Sequence, residues 1–508
     1  MLCQLARYRL TAVVAFSLFP SSLFAFAPQE CPEHAFAPLV PGSLLSGDAT
    51  ATDGTRVIVS EQLPMPDRVG ASVYRLEGGA WVNEDALIVT AGPGESVSVV
   101  TAVEIQDDIA LFSYEFQDAL TYELRIAVFE RNAGSWSHIQ TLSSPAVAPP
   151  VDYFGGFLHL HGDQLLTSRL IYERGPSGFA LLEVLPAPIG GAALSPNQWG
   201  TMNDDWVVVG EPLVSVTSPP TVIAGRIVIL SRAIHGAVFA QEFQEPSPDT
   251  FAQFGSSVAL EGEWLFAGAQ EYGQPGRVHA YRYDGSAWQY DQEIVNPLAV
   301  PFTADRFGGD LAIDGGRLAI GTVNAALLFE LIGDTWTYVG SPDVPHAGSL
   351  DLQGGVFVHS DFYPSVGDRS HAQDFFGGEW TDACAGTPNS TGQIARLDLR
   401  GSARRSFAGL VADVTSAPAN TVGIFVYGGA AGSLPVGNGE LCVDPTSGLR
   451  RYPGIVQMDG SGAATRVLDA SQLDVASAGS SVVLQLWFRD MGGAGTDWIS
   501  AARVTLCD

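Results

Sequence analysis

Few side chains in this sequence have the types and spacing that catalysis requires. The chain contains no Gly-x-Ser-x-Gly elbow, no His-Glu-x-x-His zinc motif and no phosphate-binding or dinucleotide fingerprint. His159 and His161 are two residues apart, so on a β-strand they would face the same side and could ligate a metal. His161 stands where other parts of the chain have polar turn residues, which favours a turn residue and a packed strand histidine instead. We therefore expect no catalytic residue, no cofactor and no metal site.

Carboxylates are abundant, but their pattern identifies no catalytic pair. With 55 Asp and Glu residues, many pairs are close together by chance. A general acid and base for glycoside hydrolysis would be hidden among them.

The net charge restricts the partners. The chain has 25 basic residues, all of them Arg, and a formal net charge of −30. This charge repels nucleic acid phosphates and anionic lipid headgroups, so we expect neither as a partner. Self-repulsion favours a soluble monomer.

The N-terminal segment has the composition of a secretory signal peptide. Arg7 and Arg9 precede an apolar run over residues 10–19, and Ala25-Phe26-Ala27 has the small-x-small pattern of a cleavage site. We expect residues 1–27 to be removed near Ala27 and the mature protein to be secreted or held outside the cell envelope. No later apolar run is long enough to cross a bilayer, so no membrane insertion is expected.

A short unit recurs along the first 380 residues. In the copy from Phe254 to Ile294, four apolar segments separated by turns predict four antiparallel strands. Seven copies of the first turn follow at spacings of about 50 residues, beginning at Asp53, Gln106, His161, Asn203, Glu261, Asp314 and Gln353. Repeats of four short strands are typical of a β-propeller. The sequence predicts an all-β chain with a seven-bladed β-propeller over residues 28–383.

An aromatic residue follows a later turn in most copies. The residues are Trp81, Trp136, Trp288, Trp336 and Trp380. Two copies lack the aromatic: the third reads GFALLEV, and the fourth has Phe239 near the expected place. An aromatic at the same point of each copy predicts packing between neighbouring sheets.

Two copies resemble a known repeat. Phe254-Gly255 with Ala267-Gly268-Ala269, and Phe307-Gly308 with Ile320-Gly321-Thr322, resemble the FG-GAP repeat of integrin α-chain propellers and of bacterial exported proteins. The resemblance implies a ring that closes by bringing its first and last blades together. Many members carry an Asp-rich calcium loop between the first two strands, but here a short turn replaces it, so no calcium is expected in the blades.

The C-terminal residues, 384–508, have a different pattern. About eight short apolar segments with Gly, Asn and Asp turns predict a β-sandwich. The segments PNSTG, GNGELC and QLWFRD resemble a C-terminal module of exported planctomycete repeat proteins. This resemblance implies domain identity and export but no activity.

Four cysteines remain after the signal peptide: Cys31, Cys384, Cys442 and Cys507. An even number in an exported chain predicts two disulfides, and none has the spacing of a zinc site. The module resemblance implies that Cys384 pairs with Cys442, which leaves Cys31 for Cys507. Alternatively, Cys31 and Cys384 flank the propeller and could staple its seam, with Cys442 joined to Cys507.

These features predict a secreted, non-enzymatic binding, adhesion or scaffold protein that presents propeller loops to a protein or glycan ligand. The long connections are rich in Pro, Gly and Ser, as recognition surfaces often are: residues 61–69, 211–224, 270–276 and 361–370. Two alternatives stay open. One is a secreted polysaccharide hydrolase or lyase, and the other is a structural component of an extracellular coat.

Overall fold

The computed structural model describes residues 33–506 apart from short segments. The segments outside the description are 42–43, 78–79, 148–153, 187–198, 215–223, 234–235, 247–251, 271–274, 300–304, 324, 342–348, 362–368, 374–380, 385, 402–409, 474–480 and 491–494. The predicted signal peptide, Cys31, Trp380 and Cys507 lie outside the described residues.

Four-stranded antiparallel sheets follow one another along residues 33–373, and the described residues form seven of them. The first strand of the chain, β1 (Glu33–Ala35), belongs to the last of these sheets. Sheet 1 comprises β2 (Leu44–Thr52), β3 (Arg56–Gln62), β4 (Arg68–Glu77) and β5 (Ala80–Thr90). Sheet 2 comprises β6 (Ser96–Gln106), β7 (Ile109–Gln117), β8 (Tyr122–Asn132) and β9 (Ser135–Ser143). Sheet 3 comprises β10 (His159–His161), β11 (Gln164–Thr167), β12 (Leu170–Gly175) and β13 (Gly178–Val184).

Sheets 4 to 7 continue the same order. Sheet 4 comprises β14 (Trp199–Met202), β15 (Trp206–Glu211), β16 (Arg226–Ala233) and β17 (Gly236–Gln244). Sheet 5 comprises β18 (Phe254–Glu261), β19 (Trp264–Ala269), β20 (Arg277–Tyr283) and β21 (Trp288–Val295). Sheet 6 comprises β22 (Leu311–Asp314), β23 (Arg317–Gly321), β24 (Ala326–Ile332) and β25 (Thr335–Gly340). Sheet 7 comprises β26 (Leu350–Gln353), β27 (Val356–Asp361), β28 (Arg369–Gln373) and β1.

The sheets form a closed ring. Their first strands, called here the inner strands, contact one another in chain order, and β26 of sheet 7 contacts β2 of sheet 1. The ring is completed by β1, which pairs with β28 in the register Glu33↔Gln373 to Ala35↔His371. A ring of four-stranded sheets around a central channel is a β-propeller, and the all-β prediction is confirmed.

Burial explains the apolar pattern of each sheet. In sheet 5 every residue of β19 is buried, because the strand is covered on both faces by neighbouring sheets. The outer strand β21 exposes most of its residues between the buried Trp288 and Ile294. The four predicted strands of the Phe254–Ile294 copy all occur.

Three of the recurrent tryptophans pack between sheets, as predicted. Trp136, Trp288 and Trp336 are buried in clusters that include the preceding sheet. The ring of Trp288 meets that of Trp206 edge-on with centroids 5.8 Å apart, and Trp336 meets Trp264 at 5.4 Å. Each ring thereby fills the gap between the outer parts of two sheets.

In the fourth copy, the aromatic position is not held by Phe239. Ser135 and Gly236 each pair at the end of a hairpin, so the residue equivalent to Trp136 is Ala237. Phe239 lies two residues further on and is 42% exposed. Sheet 4 therefore presents an alanine where its neighbours have a large ring.

In sheets 1 to 5, a side chain four residues after the aromatic position joins the sheet to the next one. The amides of Gln140, Gln241 and Gln292 each donate to the carbonyl and accept from the N–H of the aromatic-position residue in the following sheet. Asp85 and Glu183 accept from the same N–H in their following sheets. The ring thus has a repeated polar clasp near its rim.

Two pairs of glycines bring the backbones of neighbouring sheets together. A Cβ on Gly268 would overlap the carbonyl oxygen of Gly308 in the next sheet, and a Cβ on Gly210 would overlap that of Gly255. Gly308 and Gly255 also have φ of 83° and 85°, which L-residues rarely adopt. The glycine that follows Phe254 or Phe307 therefore packs against a glycine in the second strand of the sheet before it.

The C-terminal residues form separate sheets. Their strands are β29 (Thr381–Cys384), β30 (Arg396–Gly401), β31 (Leu410–Thr415), β32 (Val422–Gly428), β33 (Ala431–Val436), β34 (Gly439–Val443), β35 (Arg450–Arg451), β36 (Val456–Gln457), β37 (Ala464–Leu468), β38 (Ser481–Arg489) and β39 (Thr496–Thr505). The described helices are two 3₁₀ turns, Pro445–Ser447 and Ala470–Gln472. None of the described residues forms a helix with the length and apolarity needed to cross a membrane.

Two of the C-terminal sheets pack face to face. A sheet containing β29, β39, β38, β32, β35 and β36 shares one core with the sheet β30–β31–β37. The hairpin β33–β34 covers the other face of the larger sheet, where Cys442 is fully buried. The structure joins Cys384 to Cys442 with Cα atoms 6.1 Å apart, which is the pairing that the resemblance implies and excludes a bond from Cys384 to Cys31.

Candidate functional site: the central channel

The inner strands enclose a channel with a cavity of about 220 Å³. Two positions in or just before each inner strand, two and four residues before the first turn, line it. The lining residues two before the turn are Ala51, Glu104, His159, Thr201, Ala259, Ala312 and Asp351. Those four before it are Ala49, Ala102, Phe157, Trp199, Ser257, Asp310 and Ser349. Small residues at most of these positions keep the channel open.

Three carboxylates line this channel, and each is bonded to the next sheet. Glu104 Oε1 accepts from the N–H of Leu160 at 3.1 Å. Asp310 Oδ2 accepts from the N–H of Leu350 at 2.8 Å. Asp351 Oδ2 accepts from the N–H of Thr52 at 2.8 Å, across the point where the ring closes.

The hydrogen bonds follow from the position of the inner strands. Each inner strand is the edge of its sheet, so N–H groups that point towards the channel have no strand to pair with. A carboxylate from the preceding sheet supplies the missing acceptor. The acidic side chains therefore both line the channel and hold neighbouring sheets together.

The environment of the three acids favours their protonated forms. Burial at the centre of the ring raises the pKa of Asp310 from 3.8 to about 7 and that of Asp351 to about 6, although backbone N–H groups oppose both shifts. Burial also raises the pKa of Glu104 well above its ordinary range, and the charge of Asp351 adds to that shift. Two of the three groups can thus change charge between pH 5 and 8.

The two histidines singled out in the sequence have separate partners. His159 Nε2 lies 3.0 Å from the carbonyl oxygen of Met202, and burial lowers the pKa of His159 to about 4. His161 Nε2 lies 2.9 Å from Asp204 Oδ1 in the turn of sheet 4. Within the described residues, no group of three or more His, Cys, Asp or Glu side chains is arranged to hold a metal ion.

Turns on one face of the ring are linked to one another. Besides the His161–Asp204 contact, Glu261 accepts from the N–H of Gly315 at 2.8 Å, and Asp314 accepts from the N–H of Gly355 at 3.2 Å. These are the predicted first turns of successive copies. The face that carries them, called here the turn face, is held by side-chain links between sheets.

The opposite face, called here the loop face, carries the connections from second to third strands and from each sheet to the next. Ion pairs and hydrogen bonds fix the bases of the long connections. Glu211 and Arg226, at the two ends of one, are joined at 2.6 Å and both are buried. Large apolar side chains are exposed on this face, including Leu120 at 96% and Met65 at 47%. Parts of the predicted long loops lie outside the described residues.

Sequence reasoning did not find the channel carboxylates. Glu104 and Asp351 stand two residues before their turns, whereas Asp310 stands four before. No motif connects them, since they come together only when the ring closes. The available signal was the pair of lining positions, because acids occur there in three of the seven copies.

Comparison with known proteins adds little beyond the fold. No family model and no characterised protein matches the sequence. Among solved structures, the Cps50 (Swd1) β-propeller domain of Myceliophteria thermophila is 10% identical, with a TM-score of 0.45, over 68% of this chain and 99% of that one. The periplasmic gluconolactonase of Pseudomonas aeruginosa is 14% identical, with a TM-score of 0.38, over 59% and 86%. Hsv2p of Kluyveromyces lactis is 11% identical, with a TM-score of 0.34, over 62% and 93%.

Proposed function

We propose that this protein is a secreted, non-enzymatic binding or scaffold protein of the FG-GAP type, which presents the loop face of its propeller to a protein or glycan ligand. The signal-like N-terminus and the Cys384–Cys442 disulfide support export, because disulfides persist in oxidising compartments. The strongly negative charge supports a monomer.

One observation carries the proposal. Each of the three described carboxylates that line the channel accepts a hydrogen bond from a backbone N–H of the next inner strand. These acids serve the assembly of the ring. The feature left to serve recognition is the loop face, where connections expose Leu120, Met65 and Leu298. The ends of the connection that holds Leu298 are joined by a hydrogen bond from Asn296 to Asp305.

A paired substitution tests which face binds. The mature chain, residues 28–508, is applied to glycan and extracellular-protein arrays together with Leu120→Asp on the loop face and Ala133→Asp on the turn face of the same sheet. Ala133 is exposed with φ of 51°, a conformation that Asp tolerates, so its replacement is a matched control. We expect Leu120→Asp to weaken the array signal and Ala133→Asp to leave it unchanged. Equal losses in both variants, or no ligand on either array, would contradict the proposal.

A polysaccharide hydrolase or lyase is the second candidate, and the channel acids favour it. Asp310 and Asp351 share one cavity and have pKa values of about 7 and about 6, which suit proton transfer near neutral pH. Release of reducing or unsaturated ends from a polysaccharide panel, abolished by Asp310→Asn while the fold is retained, would favour this candidate over the first.

A further inference from the structure

A second cavity, of about 260 Å³, lies at the seam between sheets 1 and 2. Its walls come from the end of β5, the start of β6, the end of β7, the start of β8 and the second half of β9. Strand ends of this kind border the loop face. The cavity is therefore on the loop face, which is the face proposed to bind the ligand.

The wall of the cavity combines apolar and polar groups. Val97 and Phe116 are buried apolar lining residues. The Arg125 guanidinium lies over the Phe116 ring, 3.2 Å from its centroid, and its Nε is 2.8 Å from Glu123 Oε1. The contact with Phe116 holds the guanidinium against the wall, and the ion pair with Glu123 neutralises its charge.

Uncharged hydrogen-bonding groups face the same space. The phenol of Tyr114 is close to the Thr141 hydroxyl and to Arg125, and burial raises the pKa of Tyr114. His138 Nε2 is 3.1 Å from Thr141 Oγ1, and partial burial lowers the pKa of His138, so the imidazole is neutral at pH 7. At neutral pH these side chains can both donate and accept hydrogen bonds.

The charge balance of the cavity disfavours anions. Arg125 is its cation, and Glu123 pairs with it. Glu95 also lines the cavity, and its carboxylate accepts from the N–H of Gly92 at 2.8 Å. The cavity thus has no net positive charge with which to attract a carboxylate, sulfate or phosphate.

The inner strand β6 beside the cavity is bulged, as β2 and β18 of two other sheets also are, but its positive φ falls on a residue other than glycine. Val99 has φ of 24°, which is strained for a β-branched residue, and the pairing of β6 with β7 shifts register twice, between Ser98/Val100 and Val100/Ala102. Bulges of this kind re-aim side chains and are common next to functional sites. The three sheets with the Phe-Gly segment, at Phe154, Phe254 and Phe307, have a glycine with positive φ in this part of the chain instead.

We propose that this seam cavity binds one neutral sugar ring of a glycan. Hydroxyl groups need neighbours that donate and accept, which Arg125, Tyr114, His138, Thr141 and Glu95 provide. The volume is below the ~300 Å³ at which sites for drug-sized ligands begin, which limits the occupant to about one ring. The proposal deepens the binding function proposed above by naming the ligand class and the place.

Saturation-transfer NMR and calorimetry on the mature chain test this site. The probes are the neutral methyl glycosides of glucose, galactose and mannose, with glucuronate and glucosamine as charged comparisons. We expect at least one neutral glycoside to bind. Arg125→Gln and Thr141→Val should each raise its dissociation constant, about tenfold for the loss of the charged donor. Arg75→Gln, a change of the same kind at an arginine paired with Glu77 outside the cavity, should leave it unchanged.

Thermal melting of each variant confirms that it is folded. The assignment is overturned if no neutral glycoside binds, if only a charged sugar binds, or if neither cavity variant changes affinity. If the seam assignment is overturned but an array ligand still loses binding to Leu120→Asp, the loop face binds the ligand and only the seam cavity is excluded as its site. Glycoside binding that depends on Arg125 without any effect of Leu120→Asp would show that the seam, and not the loop tips, is the recognition surface.

Discussion

The side-chain amide of Gln241 is bonded twice to the backbone of Trp288 in the neighbouring sheet: it donates to the carbonyl oxygen at 2.8 Å and accepts from the N–H at 3.0 Å. Gln140 and Gln292 make the same pair of bonds to Phe179 and Trp336. One side-chain amide thus satisfies both the N–H and the carbonyl of an aromatic residue in the next sheet. The ring of that aromatic residue packs in turn against the sheet that carries the amide.

Removing this amide should destabilise the ring. Gln241→Ala leaves the Trp288 N–H and carbonyl without partners at a seam, which should lower the free energy of unfolding by about 1–3 kcal/mol. Urea denaturation followed by tryptophan fluorescence measures the change. Gln289→Ala, an exposed glutamine on the next sheet that bonds to Asp284 at 3.3 Å, is the control and should have little effect. Equal stability of both variants would show that the clasp contributes nothing.

Stability should depend on pH through the channel acids. Asp310 has a pKa of about 7 in the folded ring against an ordinary value of 3.8, so the folded state holds its proton more tightly than the unfolded chain. Its contribution is fully present below about pH 4 and is lost as the pH rises through about 7. Asp351 behaves in the same way up to about pH 6.

Melting temperatures between pH 5 and 8 check this dependence. We expect the Tm of the wild type minus that of Asp310→Asn to be more positive at pH 5 than at pH 8, because the wild type loses stability as Asp310 ionises and the variant does not. Asp291→Asn, an exposed acid on an outer strand, controls for the loss of one charge. A value of wild-type Tm minus variant Tm that is constant with pH, or that becomes more positive at high pH, would be inconsistent with a protonated Asp310.

The contact between Gly268 and Gly308 should not tolerate a side chain. In Gly268→Ala the new methyl overlaps a backbone carbonyl, so the two sheets must separate, at a cost of about 3 kcal/mol or more. Gly460→Ala is the matched control, because nothing lies within 4 Å of its added Cβ. The soluble yield and the Tm of the two variants measure this cost. A Gly268→Ala protein as stable as the Gly460→Ala control would refute the close approach of Gly268 to Gly308.

The disulfide should stabilise the C-terminal sheets. Cys384 and Cys442 are 58 residues apart, and closing a loop of this length is worth about 4 kcal/mol in the chain-entropy model. We expect no thiol to react in the native protein before reduction, and Cys442→Ser to unfold at lower urea concentration. Cys384→Ser should lose the same amount, since either change opens the same bond. Reactive thiols in the native, unreduced chain would contradict the two predicted bonds.

The parts of the fold that depend on local pattern could be predicted. The turn before Trp264 and the period of the apolar residues indicated β18 to β21, because each hairpin is formed by neighbouring residues. Phe239 lies near the expected place in the sequence, but the spacing from the preceding turn does not reveal where the hairpin closes, and the pairing of Ala233 with Gly236 puts Ala237 at the aromatic position. The strand β1 was missed altogether, because three residues carry no period.

The candidate sites depend on contacts between sheets, which local pattern does not contain. Glu104 is recognisable as a channel residue only when Leu160 of the next sheet is known to lie beside it. Likewise, Arg125 and Thr141 line one cavity with Ile88, a residue of another sheet. The links between sheets do have a sequence signal, because Gln140, Gln241 and Gln292 recur four residues after the aromatic position. A glutamine on an outer strand, however, is usually interpreted as an ordinary surface residue.

Pairing of residues 33–35 with residues 371–373 sets an order for biogenesis. During synthesis β1 has no pairing partner until β28 has been made. Until then the edges of β1 and of the latest strand are open to pairing with other chains. An unfinished ring therefore needs shielding until residues 371–373 have been made, and a chain that stops short of residue 371 should be a target for proteases instead of a smaller working version.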